Sequence, residues 1–347
     1  MPVDTLNIEF AHGFSISYYA DYKLVTVKNF RNTNAVETRY YLVKNAQTQT
    51  PADGQKIVVP LRTLATGSAT LYEFLELVGE MNAVVAVTNA DVAYNQKIRD
   101  GIAAQKIVDL GDALSINVEK VLTLQPAALM MSGYNATDTR ADRIEKAGIP
   151  LVINNEWQES NVLGRAEWLK FVAAFFNKEA TADSIFEEIV TRYNSIKDKA
   201  LQIQNKPSVM SGANFRGTWY MPGGQSFMAQ LFTDAGANYF YKNDKSSASL
   251  PLNFETVLKN FANSDCWLNC DYRNFTQLRA VDTKNMLFKP AQTNNVWNFN
   301  RRMVPNGAND FWESAVARPD LLLADLITIL HPTLLPDYQL IYAKKLE

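Results

Sequence analysis

The chain offers few residues for metal or nucleophilic chemistry. Among its 347 residues are two histidines, His12 and His331, and two cysteines, Cys266 and Cys270. Structural zinc sites draw on clustered cysteine and histidine ligands, and histidines near opposite ends of a chain supply no such cluster. The cysteines are spaced C-x3-C, and Asp265-Cys266-Trp267-Leu268-Asn269 reads as a strand. Four residues of strand span about 13 Å, beyond disulfide reach, which favours two unpaired thiols, or a bond made across a turn. No G-x-S-x-G elbow and no G-x-G-x-x-G fingerprint occurs, so the usual marks of a hydrolase or a dinucleotide enzyme are missing. Pro222-Gly223-Gly224-Gln225-Ser226 lacks the Lys-Ser/Thr ending of a phosphate loop and reads as a tight turn with Ser226 as a helix cap. What remains is recognition chemistry. Tryptophans offer flat apolar area, and arginines pair bidentately with carboxylates and anionic chelates.

The elements that would position these residues follow from hydrophobic patterning. Residues 14–43 carry three strand-like runs separated by polar turns, a small antiparallel extension. From Ile57-Val58-Val59 onward strand and helix alternate, with buried strands at Ala83–Val87, Ile107–Asp109, Ala128–Met131 and Leu151–Ile153. Such alternation implies a parallel sheet with helices on both faces. From Ala166 to about Gln204 neither Pro nor Gly interrupts the chain, and Asn177-Lys178-Glu179 marks a break between two helices. The second could run about 36 Å at 1.5 Å per residue, enough to join two lobes. After Pro207 the alternation restarts, with strands at Ser208–Ser211, Cys266–Leu268 and Met286–Phe288 and helices near 226–235, 254–261, 310–316 and 319–330. The expected fold class is α/β, two Rossmann-like lobes joined by a long rigid helix with an N-terminal β extension. The expected domains are the extension (1–50), an N-terminal lobe (51–165), a connecting helical segment (166–204) and a C-terminal lobe (205–347).

In open parallel sheets ligands bind outside the C-terminal strand ends, here facing the cleft between lobes. That rule selects as ligand contacts Thr66, Tyr94, Tyr134, Asn155 and Trp157 in the first lobe. In the second it selects Arg216, Trp219, Tyr220, Arg273, Trp297 and Arg301. The cluster Arg216, Trp219 and Tyr220 is the densest of these. Any one of them could instead pack on its own lobe or stand in solvent.

Composition narrows the partners. With 34 basic and 36 acidic residues the net charge is −2, and no long basic block stands out, which argues against nucleic acid. Apolar runs are far shorter than the ~20 residues of a membrane span. The first residues lack a basic-then-apolar export pattern. An echo links the two halves: Asn117-Val118-Glu119-Lys120-Val121-Leu122 and Asn253-Phe254-Glu255-Thr256-Val257-Leu258 share Asn, Glu, Val and Leu in register. Two ordinary helix starts would look the same, since Asn caps and Glu suits a first turn. Alternatively the lobes are pseudo-equivalent and the two carboxylates hold matching places.

Residues 55–345 resemble the substrate-binding proteins of ABC importers that carry iron–siderophore complexes, haem or cobalamin, whose lobes are joined by one helix. The likeness rests on Asn117 to Pro126, Gly148-Ile149-Pro150-Leu151-Val152, Trp168 to Lys199, and Gly223-Gly224-Gln225-Ser226-Phe227. It also rests on Leu231 to Asn238, Arg318 to Leu326, and Leu330-His331-Pro332. Ala127 departs from the acidic residue usual after Pro126. The resemblance implies a non-catalytic, monomeric, periplasmic or lipid-anchored receptor without a cofactor of its own, any metal arriving inside the ligand. It implies an ABC permease dimer as partner, docked through Glu119 and Glu255, and an outer-membrane receptor system upstream. It also admits Tyr134 or Tyr220 as a phenolate ligand to haem iron. Cobalamin is the alternative ligand within this class. A two-lobed α/β enzyme and a surface interaction protein contacting through residues 1–50 are the alternatives outside it.

Overall fold

The computed structural model describes residues 1–30, 32–133 and 139–347. The chain folds into two compact units, Met1–Glu188 with Met303–Ala317, and Ile189–Arg302 with Arg318–Glu347.

Unit 1 holds two sheets. The first comprises β1 (Asp4–Thr5), β2 (Phe14–Tyr18), β3 (Tyr22–Asn29), β4 (Asn32–Val43) and β5 (Gln55–Val58), in that order. Its pairs are antiparallel until β5, which runs parallel to β4. Ile57, expected to open the first lobe's sheet, therefore belongs to the extension, paired with Leu42. The second sheet contains β6 (Leu64–Thr66), β7 (Val84–Val87), β8 (Val108–Asp109), β9 (Ala128–Ser132) and β10 (Leu151–Asn154) in the order β10-β9-β6-β7-β8, all parallel. Its helices are α1 (Leu71–Leu77), α2 (Gln96–Ala103), α3 (Val118–Leu124), α4 (Thr139–Lys146) and α5 (Val162–Ala174).

Helix α5 is buried on nearly every side, so it must be covered all round and its few charged side chains must find partners. Phe14 on β2 packs on its Trp168 and Phe171 at centroid distances of 4.9 and 5.6 Å, and Tyr40 on β4 meets Phe175 at 5.8 Å. The segment leading into β2 is fastened by two buried carboxylates. Glu167 accepts the backbone N–H groups of Glu9, Phe10 and Ala11 at 2.7–3.0 Å. Glu159 accepts those of His12 and Gly13 together with the Trp168 indole N–H. Gly164 permits the close crossing, since a Cβ there would lie 2.8 Å from the Phe10 carbonyl oxygen.

Helix α6 (Glu179–Leu201), 23 residues, follows the break at Asn177, which has a φ of 57°. It begins in unit 1 and ends in unit 2. This is the long connector expected from the uninterrupted 166–204 stretch.

Unit 2 contains β11 (Ser208–Ser211), β12 (Asn214–Phe215), β13 (Thr218–Pro222), β14 (Asn238–Tyr239), β15 (Ser249–Leu252), β16 (Cys266–Leu268), β17 (Val296–Asn298) and β18 (Lys344–Lys345). One sheet runs β14-β11-β16-β17-β18, and a smaller one runs β12-β13-β15. Its helices are α7 (Phe227–Asp234), α8 (Phe254–Phe261), α9 (Phe275–Val281) and α10 (Lys289–Gln292). Next in the chain, α11 (Phe311–Ser314) lies in the segment that returns to unit 1, and α12 (Pro319–Leu330) closes unit 2. Met286–Phe288, expected as a strand, lies in and just after a short 3-10 turn, and the sheet's next strand is β17. The apolar run is used for core packing instead: Phe288 is fully buried against Trp219, Trp267 and Phe254. Cys266 and Cys270 are buried free thiols. Burial pushes both up, Cys270 to about 12, so neither is a thiolate near neutral pH.

Candidate functional site

Each parallel sheet has a point where chain order reverses, and such points open a crevice at the C-terminal strand ends. In unit 1 this falls between β6 and β9, and in unit 2 between β11 and β16.

Thr66 ends β6 and is fully buried. Beyond it, Gly67 donates to the Met130 carbonyl at 2.8 Å, and the Thr70 hydroxyl donates to Glu156 at 3.1 Å, tying the loop after β6 to the loop after β10. Burial holds the Glu156 carboxyl above the usual carboxylate range. Asn155, also fully buried, accepts from the Gly133 N–H at 3.2 Å and donates to Glu37 at 3.1 Å. Thr66 and Asn155 therefore build the floor of this face. Beside them Trp157 is 45% exposed. Tyr134 lies outside the described residues.

Tyr94 is half-buried, with the Arg99 guanidinium 5.7 Å from its ring centre. Its loop is held by a residue that sequence reading missed. Glu313, buried on α11, accepts the backbone N–H groups of Tyr94 and Asn95 with its two oxygens. Asn306 donates to the Asp91 carbonyl at 2.6 Å. Residues 303–317 were expected within the second lobe, yet they strap this loop of unit 1. Burial pushes the Glu313 carboxyl up to about 7, against the downward pull of the two N–H groups and Arg99.

In unit 2 the best sequence cluster divides. Trp219, expected in a loop, is fully buried in β13, where its indole N–H donates to the Ser211 carbonyl at 2.7 Å. The Trp267 indole donates to the neighbouring Gly212 carbonyl at 2.8 Å, so two tryptophans fix the turn leaving β11 from behind. Trp219 is thus a core residue supporting the face. Side chains alternate across a strand, and β13 shows it, with Trp219 and Met221 inside and Tyr220 51% exposed. That alternation was the available signal. Arg216 and Gly217 form the two-residue turn between β12 and β13, both with positive φ, as a type I′ hairpin requires. Arg216 is exposed and lies 5.1 Å from the ring centre of Phe215, itself 60% exposed.

The other second-lobe candidates are more scattered. Arg273 is exposed, its backbone N–H donating to Gln277 at 2.6 Å just before α9. Arg301 is exposed, its backbone N–H donating to the Tyr342 carbonyl at 2.9 Å. Trp297, also expected in a loop, lies in β17. Its indole N–H reaches back to Asn295 at 2.9 Å, before the start of the strand, so it serves the sheet and not the C-terminal end.

The sequence echo is a structural one. Glu119 and Glu255 each occupy the second position of a helix, α3 and α8, and both are exposed. The preceding asparagines cap: Asn117 accepts from the Lys120 N–H at 3.1 Å and Asn253 from the Thr256 N–H at 2.8 Å. Glu119 also pairs with Arg143 at 2.7 Å, an exposed contact of small energetic weight.

Residues 64–280 match the family described as periplasmic binding protein. Two uncharacterised lipoproteins of Methanocaldococcus jannaschii are similar in sequence. One is 25% identical over 319 residues, 84% of this chain and 72% of the relative. The other is 24% identical over 317 residues, 87% of this chain and 78% of the relative. Among solved structures, a periplasmic haem-binding protein of Vibrio cholerae superposes with a TM-score of 0.61 at 15% identity, covering 78% of this chain and 99% of its own. One of Pseudomonas aeruginosa gives 0.60 at 15%, covering 79% and 94%. An ABC transporter substrate-binding protein of Listeria monocytogenes gives 0.58 at 13%, covering 78% and 99%.

Proposed function

The chain belongs to the periplasmic binding protein family, and from that premise we propose that it captures an iron complex, haem or a ferric siderophore, and delivers it to an ABC permease. The family is one of solute-binding proteins, not of enzymes. The observation that carries the ligand class is the β12–β13 hairpin, where Phe215, Arg216 and Tyr220 stand exposed together. Flat aromatic area beside a guanidinium suits a large anionic chelate better than a bare cation or a sugar. Two haem-binding proteins among the structural neighbours support the same reading.

On unit 1 the candidate ligand contacts are Trp157 and Tyr94, and on unit 2 they are Arg216, Tyr220, Arg273 and Arg301. Glu119 and Glu255 would dock the permease. The capping of both helices by asparagine supports this, because it leaves the glutamates without a capping task. Exposed ion pairs of this kind set orientation and encounter rate more than affinity. Lipoprotein relatives support an extracytoplasmic, lipid-anchored receptor.

A permease-coupled uptake assay tests the reading. Replacing Glu119 and Glu255 together by Ala should cut uptake of the iron complex while its affinity for the isolated receptor stays unchanged. Undiminished uptake by the double variant would refute the docking role.

A further inference from the structure

Strand β10 is the edge of the unit 1 sheet, and an edge strand leaves outward N–H groups in need of partners. Here side chains of the N-terminal extension supply them. Gln55 accepts from the Leu151 N–H at 3.1 Å, and the Tyr40 hydroxyl accepts from the Ile153 N–H at 2.8 Å. The row continues past the strand end, where Glu37 on β4 accepts from the Asn155 side-chain amide at 3.1 Å. Asn155 in turn accepts from the Gly133 N–H, so one carboxylate of the extension orients both the start of the loop after β10 and Gly133 just past β9. Gly133 and Asn155 approach closely: a Cβ on Gly133 would lie 2.2 Å from the Asn155 side-chain oxygen. The family match begins only at residue 64, after the extension.

We propose that the N-terminal extension is a working part of the binding face, with Glu37 as the positioning residue that, through the buried Asn155, sets Gly133 for ligand contact. Glu37 itself is exposed, whereas Asn155 is fully buried. The carboxylate therefore fixes which way the buried amide faces: its nitrogen toward the extension and its oxygen toward Gly133. Without Glu37 the amide is free to turn, and the Gly133 N–H loses its acceptor. The inference rests on the iron-complex reading for its ligand and on geometry alone for the positioning.

Two readouts on the full chain, with Glu37→Ala and Glu37→Gln, separate these parts. Amide exchange at Gly133 is followed without ligand, and haemin is titrated into each protein. Glu37→Ala should speed exchange and weaken haemin affinity by about tenfold, the scale of a lost charge-assisted hydrogen bond. Glu37→Gln, whose amide oxygen still accepts from Asn155, should remain within about threefold of wild type on both readouts. Melting temperature should fall modestly in Glu37→Ala, because the buried Asn155 amide loses its acceptor, and recover in Glu37→Gln. Unchanged exchange in Glu37→Ala would overturn the proposal, as would altered exchange with unaltered haemin affinity or no rescue by Gln. If wild type binds no haemin while exchange responds as stated, positioning stands and the haem reading fails.

Discussion

The two candidate faces are built differently. On unit 1 the side chains nearest the sheet are spent on structure: Thr66, Asn155 and Glu156 are buried, and the loops are braced from outside by Glu37 and by Glu313. On unit 2 the brace comes from behind, through Trp219 and Trp267, and the hairpin turns Arg216 and Tyr220 outward. The first resembles a prebuilt wall and the second a set of contact groups on a rigid backing. Substitutions of the buried unit 1 groups should therefore register as stability, that of Glu37 as lost loop order with affinity following it, and those on the hairpin as affinity alone.

The largest expected effect tests how the N-terminal extension is fastened to unit 1. Glu167→Ala leaves three backbone N–H groups without their acceptor in a buried site, while Lys170 keeps Asp183 and the Asn7 carbonyl. It should cost about 3–5 kcal/mol in urea unfolding. On unit 2, Trp219→Phe keeps an aromatic ring but leaves a gap in the core and orphans the Ser211 carbonyl, and should cost about 1–3 kcal/mol by the same measurement. Its neighbour Tyr220→Ala should cost under about 0.5 kcal/mol, and equal losses at 219 and 220 would dissolve the contrast. Arg216→Ala should weaken haemin binding about fivefold in a fluorescence titration while leaving unfolding unchanged.

The strap gives the one pH-dependent effect. The Glu313 carboxyl is raised in the folded chain to about 7, so its neutral form is favoured there. The stability it contributes is fully present below the ordinary carboxylate range and is lost as pH rises through about 7. Asp310 pushes in the same direction and Arg99 opposes it. The melting temperature of wild type relative to Glu313→Gln should therefore fall between pH 5 and pH 8. A difference constant with pH would contradict this assignment.

Local signals read well from the sequence, and long-range ones did not. The Asn caps of α3 and α8, the Ser226 cap of α7 and the break at Asn177 were legible, because each depends on a few neighbouring residues. Trp219 was misplaced because its segment was read as a loop, although alternate residues already pointed in opposite directions. Met286–Phe288 had a strand's composition but no strand beside it, and pairing is decided by the sheet. Ile57 had two possible sheets and joined the earlier one. The bonds from Glu37 to Asn155 and from Glu313 to Tyr94 join residues 118 and 219 positions apart. Neither leaves a mark in local pattern or period.

The central claim is capture of an iron complex, and intrinsic tryptophan fluorescence of the purified chain tests it most directly. Haemin and a ferric siderophore are titrated in parallel with cyanocobalamin. The account predicts saturable quenching by at least one iron complex at a single site, with no response to cyanocobalamin. Saturation by cyanocobalamin alone, or by none of the three, would contradict it.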